Sequence, residues 1–372
     1  MSKDIPIVIY GASGYTGRQV AEYLRDMRVP FVAAGRSRKR IEEAMAMVPG
    51  IEDAKYEIAE VEHTVPALTK LFSGRKVVCN TVGPFIRYCS VVAEAALASG
   101  VHYLDTTGEQ PSMLELQARF SKDYAKAGLA LVPSLAYMYA VSEISARVCL
   151  EIAPGVDTLA MHALGEAVPT VASSQSIFEM VRHKSSYLAD HELVEYAGTE
   201  VTDLALPDGQ VLKATNWGGT ANPIWFRNDG RVRNCKMSVA IGNQDIYKKV
   251  LELDRAYKVQ LQWIPDAQLT PLLDGMATSV TSKMPPREAR SQHRTIDWCH
   301  ARGNNVASSC IIYGTGGYFQ TGLLQAYGAR RLAVETPRVT GFRSPSEVFG
   351  HHELMGILKT YGYSAMTSQR IV

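Results

Sequence analysis

A glycine-rich stretch near the N-terminus has the residue types and spacing of a phosphate cradle: Gly11-Ala12-Ser13-Gly14-Tyr15-Thr16-Gly17. It follows an apolar run directly and opens a helical pattern. In such a loop the first glycine permits a tight turn, the second lets the backbone approach a pyrophosphate, and the third lets the helix pack on the strand. Helix N-termini also favour bound phosphate. We therefore predict a dinucleotide cradle formed by Gly11, Ser13, Gly14, Tyr15 and Thr16; a turn without ligand is the alternative.

Four cations follow the next apolar run, in the segment Gly35-Arg36-Ser37-Arg38-Lys39-Arg40. An NAD site usually places a carboxylate here to bind the ribose hydroxyls, but none occurs before Glu42. Because cations at a helix N-terminus oppose the helix dipole, a bound anion explains them better than a solvated charged surface does. We predict that Arg36 stacks on adenine and pairs with a 2′-phosphate, and that Ser37 hydrogen-bonds the same phosphate. The expected cofactor is NADP(H).

These loops need a scaffold, and the first third of the chain alternates apolar runs with helical patterns. The predicted strands are the runs at 5–10, 31–34, 77–82, 101–105 and 129–132. Alternation at this pitch indicates parallel strands joined by crossover helices. Parallel strands are covered on both faces, which accounts for runs that are apolar throughout. We predict an α/β fold with a Rossmann-type doubly wound parallel sheet over residues 1–135.

The middle of the chain changes character, and residues 136–335 are predicted to form an α+β substrate domain. Hairpins are indicated at Leu206-Pro207-Asp208-Gly209 and at Gly303-Asn304-Asn305. The predicted elements are strands at 237–241, 257–263, 295–299 and 306–313 and a helix at 245–253. Residues 336–372, with helix candidates around 346–361, are expected to return to the first domain.

A further turn follows the third predicted strand, in Asn80-Thr81-Val82-Gly83-Pro84-Phe85, with Tyr88 shortly after. Proline fixes its own φ and restricts Gly83, so the chain turns sharply at the strand end that borders the ligand crevice. Two other segments accompany it: Val101-His102-Tyr103-Leu104-Asp105 with Gly108-Glu109, and Gly314-Thr315-Gly316-Gly317-Tyr318 with Glu335-Thr336-Pro337. With the glycine loop, these segments resemble the saccharopine dehydrogenase-like oxidoreductases, and the trans-acting enoyl reductase-like branch more than true saccharopine reductase.

The resemblance implies an NADP-dependent oxidoreductase that transfers hydride to an activated C=C bond. It implies that the nicotinamide half of the cofactor lies along the residues Asn80, Val82, Gly83, Pro84, Phe85 and Tyr88. For Phe85 and Tyr88, plain packing is an equal alternative. It also implies a homodimer, formed through the sheet of the second domain.

One segment departs from the family pattern. Relatives carry an aspartate-containing turn after the sixth strand, whereas this chain has Ala136-Tyr137-Met138-Tyr139, with Met138 at the aspartate position. A methionine cannot ionise, so the role of that carboxylate does not transfer. The two tyrosines suggest a small, largely apolar or aromatic substrate. Tyr137 is the candidate for the catalytic general acid, with packing as the alternative.

Two other functions remain open. Imine reduction of an opine or saccharopine type predicts arginines that grip substrate carboxylates, and Arg182, Arg287 and Arg290 are candidates. A non-catalytic NADP-binding regulator would keep the glycine loop and lose a defined substrate cavity. Turnover with different substrate classes distinguishes these functions from enoyl reduction.

Composition limits the partners. The 372 residues carry a formal net charge of only +2, which argues against a nucleic-acid partner. No apolar run approaches the roughly 18 residues of a transmembrane helix, so no integral membrane segment is expected. The six cysteines contain no Cys-x-x-Cys pair, which favours reduced thiols in the cytoplasm. No metal site is predicted, because adjacent residues in His351-His352-Glu353 point to different helix faces.

Overall fold

The computed structural model describes residues 5–206, 209–216, 221–280 and 284–372. The strands are β1 Ile7–Tyr10, β2 Phe31–Gly35, β3 Tyr56–Glu60, β4 Val77–Asn80, β5 His102–Asp105, β6 Ala130–Val132, β7 Thr158–Gly165, β8 Ser186–Ala189, β9 Glu192–Glu195, β10 Val201–Ala205, β11 Val211–Thr215, β12 Asn234–Ile241, β13 Arg294–Arg302, β14 Ala307–Thr315, β15 Gly341–Phe342 and β16 Ser364–Arg370. The helices are α1 Tyr15–Asp26, α2 Arg38–Ala46, α3 Val65–Phe72, α4 Phe85–Ala98, α5 Gln110–Lys126, α6 Tyr139–Ile152, α7 Val171–Met180, α8 Ala221–Phe226, α9 Gln244–Val259, α10 Asp266–Val280, α11 Gly317–Val334, α12 Pro345–Phe349 and α13 His351–Thr360.

The chain divides into two compact units that do not follow the predicted domain bounds. The first comprises Met1–Thr107, Ser112–Ala140 and Tyr318–Tyr361, and the second Gly108–Pro111, Val141–Gly317 and Gly362–Val372. Helix α11, predicted to lie in the substrate domain, therefore belongs to the first unit. Strand β16, predicted to return to the first unit, belongs to the second because it pairs with β14.

The first unit is built on a parallel sheet with the strand order β15-β6-β5-β4-β1-β2-β3. Every residue of β1, β2 and β4 is buried, as expected for strands covered on both faces. Strands β1 to β3 are added towards one edge of the sheet, and β4 to β6 are added from β1 towards the other edge. Ligands of doubly wound folds bind at this switch point between β1 and β4. The predicted Rossmann-type fold is confirmed.

The second unit contains a mixed sheet with the order β10-β11-β12-β7-β13-β14-β16, in which β8 also pairs with β12 and β9. Strands β7 and β12 run parallel, and the other pairs are antiparallel. Both predicted hairpins occur, as β10–β11 and β13–β14. Pro207 and Asp208 of the first hairpin lie outside the described residues.

One strand prediction in this unit is wrong: residues 257–263 complete α9 and continue as a 3-10 turn at Leu261–Trp263. Val250, Leu253, Tyr257 and Leu261 recur at spacings of three and four and contribute to one apolar cluster with α7 and α10. This periodicity is helical, and it extends beyond the predicted helix end at 253.

No helix within the described residues is long and apolar enough to cross a membrane.

We predict that His102 makes the first unit sensitive to acid. Its Nδ1 accepts the backbone N–H of Ala130 at 3.0 Å. Burial and then Lys76 lower its pKa from 6.5 to about 4. The folded state therefore binds fewer protons than the unfolded state below pH 6.5. The contribution of the neutral His102 to the free energy of unfolding is therefore complete above pH 6.5. It is lost as the pH falls towards 4, by up to about 3 kcal/mol.

The check is the free energy of unfolding measured from pH 7 to 4. His102→Gln keeps a hydrogen-bond acceptor but cannot titrate, so its stability should fall less steeply than that of the parent chain. Identical slopes for the two proteins would contradict the prediction.

Candidate functional site

The glycine loop turns tightly after β1. Gly11 has a φ of +97°, which favours glycine, and a Cβ there would lie 2.6 Å from Thr81 Oγ1. The N–H groups of Gly11 and Ala12 both donate to the carbonyl of Ala34, at 3.0 and 3.1 Å. The loop is thus attached to β2 on one side and to the segment after β4 on the other.

The start of α1 leaves backbone donors available. Gly14 is the N-cap residue and supplies no side-chain cap. A Cβ on Gly17 would lie 2.5 Å from the Gly11 carbonyl oxygen, so the helix contacts the loop backbone directly. Among the described residues, neither the backbone N–H groups nor the side-chain hydroxyls of Ser13 and Thr16 form a hydrogen bond. An anion at this helix start would meet free donors and the positive end of the dipole.

The cations after β2 differ in their surroundings. The Arg38 guanidinium is engaged by Glu42 and by the Ile58 carbonyl. Arg36 is exposed, and its side chain makes no hydrogen bond or ion pair within the described residues. Ser37 caps α2 by accepting the Arg40 N–H at 3.4 Å, which leaves its O–H free to donate. Of the four cations predicted to surround the 2′-phosphate, Arg38 is therefore already bound to other groups of the protein.

Next to Arg36 lies a group that the sequence analysis missed. His63 Nδ1 lies 2.8 Å from the Tyr10 hydroxyl, and its ring meets the Tyr88 ring edge-on at 5.2 Å. Burial, and then the charge of Arg36, lower the pKa of His63. The histidine is therefore held neutral beside the end of β1. A lone histidine after a half-exposed strand gave no sequence pattern that could have identified it.

The turn after β4 is held by a buried asparagine. The Asn80 side-chain oxygen accepts the Val82 N–H at 3.1 Å, and its amide donates to the Tyr103 hydroxyl at 3.0 Å. The Gly83–Pro84 peptide is cis, and α4 begins at Phe85. Phe85 is buried and Tyr88 half-buried, so both contribute to packing.

The network continues to a buried carboxylate. The Tyr103 hydroxyl donates to Asp105 at 2.8 Å, and the N–H groups of Thr107 and Ser134 donate to the other carboxylate oxygen at 2.9 and 2.8 Å. Burial, and then Asp105, raise the pKa of the Tyr103 phenol. The ends of β4, β5 and β6 are thereby joined by hydrogen bonds. Sequence analysis recorded Tyr103 and Asp105 but assigned them no role.

The segment after β6 meets α11. The Tyr137 N–H donates to Thr321 Oγ1 at 3.1 Å, and Gln325 donates to the carbonyls of Asp105 and Leu135 at 2.6 and 2.8 Å. The Tyr137–Met138 peptide is cis, and residues 137–139 are half-buried. Helix α11 thus supports the strand ends, a role the sequence did not indicate.

Helix α11 also reaches the glycine loop. Its Tyr318 ring packs edge-on against Tyr15, with centroids 5.0 Å apart. A Cβ on Gly322 would lie 2.5 Å from the Gln19 Cβ, so α11 and α1 are in close contact. Tyr15 is itself buried, so its side chain serves packing in this structure.

Two further segments rich in polar residues are also placed. The serine-rich segment after Pro169 opens α7, where Thr170 caps the helix by accepting the Ser173 N–H at 3.0 Å. In His351-His352-Glu353, the carboxylate pairs with Arg331 and Tyr327.

The residues of the first unit fit a phosphorylated dinucleotide. Among the residues that the structure describes, Ser13 and Thr16 are donors without a partner, and Arg36 is a cation without one. Near Gly14, a Cβ would meet only the Gly11 carbonyl oxygen within 4 Å, so a ligand has room to approach the backbone.

Comparisons with known proteins agree with this site. Residues 140–369, more than half of the chain, match the model of a Family of unknown function (DUF5938). Residues 7–132 match the Saccharopine dehydrogenase NADP binding domain. The prediction of NADP(H) as the cofactor is confirmed.

Curated relatives match over part of their length. A lipid droplet localized protein of Caenorhabditis elegans is 30% identical over 135 residues, covering 34% of this chain and 32% of the relative. A putative trans-acting enoyl reductase of Mycobacterium tuberculosis is 31% identical over 148 residues, covering 38% and 35%. A human saccharopine dehydrogenase-like oxidoreductase is 32% identical over 143 residues, covering 34% and 33%. The matches thus span about a third of these relatives.

Among solved structures, apo saccharopine dehydrogenase (L-Glu forming) from Saccharomyces cerevisiae aligns with a TM-score of 0.59. The alignment covers 99% of this chain and 100% of that chain at 13% identity, so it shows a shared fold. The chain therefore belongs to the family of unknown function whose model matches residues 140–369, and its residues 7–132 match the saccharopine dehydrogenase NADP-binding domain.

Proposed function

We propose that this protein is an NADPH-dependent reductase of activated C=C bonds in small, largely apolar or aromatic molecules. When bound, NADPH supplies the hydride. The protein holds the cofactor and substrate in register, excludes water and provides a proton donor. The observation that carries the proposal is the half-buried run Tyr137-Met138-Tyr139, which places aromatic and thioether groups, and no carboxylate, after β6.

Each part of the cofactor has its own set of residues in this proposal. The cradle of Gly11, Ser13, Gly14, Tyr15 and Thr16 receives the pyrophosphate. Arg36 and the free O–H of Ser37 receive the 2′-phosphate. The nicotinamide half lies along Asn80, Val82, Gly83, Pro84, Phe85 and Tyr88. Asn80 acts through its bond to the Val82 N–H, which positions the turn.

The alternative of imine reduction needs a free cation for a substrate carboxylate. Arg182 donates to Glu179 and Thr270 at 3.0 and 3.1 Å and pairs with Asp266 at 2.5 Å. Arg290 stacks on the Tyr363 ring at 4.1 Å. Two of the three candidate arginines are thus already in contact with other side chains, which makes them less available to a substrate carboxylate. This favours an enoyl substrate over an imine. The similarity to relatives named trans-acting enoyl reductase also favours the reduction of C=C bonds.

A substrate panel tests the proposal. NADPH consumption is measured with a cyclic enone, an α,β-unsaturated acyl thioester, a cyclic imine and a saturated ketone. We expect turnover with the first two, with mass spectrometry showing saturation of the C=C bond. Turnover confined to the imine would replace the proposal with imine reduction. Tight NADPH binding without any turnover would indicate a regulator.

We predict that Arg36 sets the preference for NADPH over NADH. Its guanidinium has no partner among the described residues, so it is available to a 2′-phosphate. Arg36→Ala should weaken NADPH binding about 10-fold to 100-fold, the range of one or two charge-assisted hydrogen bonds. NADH, which lacks that phosphate, should bind within about threefold of its parent affinity.

The measurement is fluorescence titration of both cofactors. Arg38→Ala is the matched control because it removes a cation that is already engaged by Glu42 and the Ile58 carbonyl. If Arg38→Ala weakened NADPH as much as Arg36→Ala does, the assignment of the phosphate to Arg36 would be wrong.

We also propose that the protein is a homodimer joined through the sheet of the second unit. Ile311 and Tyr313 lie on one face of β14, where Ile311 is half-buried and Tyr313 is 40% exposed. Light scattering should then give twice the chain mass of 40.8 kDa; the mass of a single chain would refute the dimer.

A cytoplasmic location is proposed from the thiols. All six cysteines are free and buried, so the fold uses them as small apolar side chains without disulfides.

A further inference from the structure

Strand β16, Ser364–Arg370, forms an open edge of the sheet in the second unit. It pairs with β14 on one side, and no described strand pairs with its other side. Five of its seven residues are exposed, and they include Thr367 on one face and Ser368 on the other. An open edge is a row of backbone donors and acceptors to which another strand can bind.

The pairing with β14 identifies the backbone groups of β16 that point outward. The Thr315 N–H donates to the Tyr363 carbonyl at 3.0 Å, so these two residues form a hydrogen-bonded pair. In an antiparallel ladder such pairs alternate with non-hydrogen-bonded ones, so the odd-numbered residues of β16 bind β14. The N–H and C=O groups of Met366 and Ser368 therefore point to the open side. They have no hydrogen-bond partner among the described residues.

The other open edges of the two sheets have features that discourage pairing with a further chain. Natural edge strands are kept very short or carry charged side chains. Strand β15 has only two residues. Each of the other edge strands contains a carboxylate: Glu57 and Glu60 in β3, Glu192 and Glu195 in β9, and Asp203 in β10. From Ser364 to Gln369, β16 contains no charged residue, proline or glycine. Among the edges that the structure describes, β16 is thus the one without this protection.

We propose that β16 pairs antiparallel with β16 of a second copy of this chain, so that the two sheets continue into each other across a two-fold axis. This pairing rests on the proposed homodimer and gives it a contact surface. It does not depend on which bond the protein reduces.

The strand is complementary to itself in this arrangement. Overlap over all seven residues places Thr367 at the axis and pairs Met366 with Ser368 of the partner subunit. Both residues face outward, so each N–H meets a carbonyl, as the hydrogen-bonded pairs of an antiparallel ladder require. Arg370 lies opposite Ser364, so like charges do not meet, and a central pair of threonines is a favourable cross-strand combination. A shift by one residue would oppose outward-facing to inward-facing backbone groups and break this ladder.

The first test removes one outward-facing donor. Ser368→Pro deletes an N–H that points away from β14, a position where edge strands tolerate proline, so each chain should keep its fold and its circular dichroism spectrum. The symmetric ladder loses two hydrogen bonds. We therefore expect the dissociation constant of the dimer, measured by light scattering over a dilution series, to rise about 10-fold to 100-fold. Ser368→Thr retains the N–H and is the matched control, which should dimerise like the parent chain.

The second test examines the register by cross-linking. At the axis the two Thr367 Cα atoms form a non-hydrogen-bonded pair about 4.5 Å apart, which is within the range of a disulfide. Mild oxidation of Thr367→Cys should therefore join two chains covalently. The six native cysteines are buried, so the parent chain should remain unlinked. Gln369→Cys, two residues from the axis, should link far less than Thr367→Cys.

The outcomes separate this pairing from the homodimer itself. A parent chain that is a monomer at micromolar concentration would overturn both. A dimer that persists undiminished in Ser368→Pro, or a Thr367→Cys chain that does not cross-link, would overturn the pairing through β16 and leave the homodimer to another surface of the sheet.

Discussion

Replacing Gly14 with alanine is expected to abolish NADPH binding while leaving the fold intact. Gly14 has φ −78° and ψ 168°, which alanine adopts without strain. A Cβ there would meet only the Gly11 carbonyl oxygen, at 3.2 Å. The methyl group would instead occupy the space through which a pyrophosphate reaches the helix start. Loss of two charge-assisted hydrogen bonds corresponds to a decrease in affinity of about 100-fold or more.

Gly17→Ala is the matched comparison, because there the added methyl meets the protein itself. It would lie 2.5 Å from the Gly11 carbonyl oxygen and 2.7 Å from the Ala12 Cα, both backbone atoms. Helix α1 would have to move away from the loop, at a cost of roughly 1–3 kcal/mol in folding stability. We therefore expect Gly17→Ala to lose both stability and NADPH affinity, and Gly14→Ala to lose affinity alone.

Thermal unfolding without cofactor and NADPH titration together separate the two effects. The assignment of the cradle fails if Gly14→Ala binds NADPH as tightly as the parent chain does. It also fails if both variants lower the unfolding temperature equally, since the loss of affinity would then follow from misfolding.

The strands of the first unit were predictable where burial was uniform. Strands β1, β2 and β4 are buried over their whole length because helices cover both faces, and their nearly continuous apolar runs are visible in a sequence. Strand β3, Tyr56–Glu60, was not predicted. It lies at the edge of the sheet and only Ala59 is buried, so it lacks the continuous apolar run that identified the buried strands. An edge position is a property of the fold and leaves little trace in five residues.

Helix α11 shows what a single sequence does not contain. Its helical character follows from its residues, but its membership of the first unit depends on contacts with distant segments. Gly322 meets Gln19 of α1, and Gln325 binds carbonyls at the ends of β5 and β6. These contacts join residues about 200 or more positions apart, and no local pattern predicts them.

The candidate site divides in the same way. Its glycines and Arg36 were found because local geometry and charge require those residue types at those positions. The buried chain from Asn80 through Tyr103 to Asp105, and the contact of His63 with Tyr10, arise only when strands pair. The sequence counted Arg38 among the cations available to a phosphate. In the structure its guanidinium is bound by the Glu42 carboxylate of α2 and the Ile58 carbonyl of β3.

The catalytic prediction concerns Tyr137. If its phenol protonates the substrate carbon or oxygen next to the hydride acceptor, Tyr137→Phe should lower kcat about 10²-fold to 10⁴-fold, the usual contribution of a general acid. The affinity for NADPH should not change, since the substitution removes one oxygen. The backbone N–H of this residue, which donates to Thr321, is retained, so the segment after β6 should keep its position.

Tyr139→Phe, two residues further on and equally half-buried, is the control. It should keep kcat within about twofold, because it removes the same oxygen from a residue without the proposed role. A role in packing alone predicts a different result for Tyr137→Phe: full turnover with a changed KM, or a lower unfolding temperature. A single-turnover measurement decides between the two, since a missing proton donor slows the chemical step itself. Full turnover by Tyr137→Phe on the best enone of the panel would remove Tyr137 from the mechanism and leave the proton to solvent or another hydroxyl.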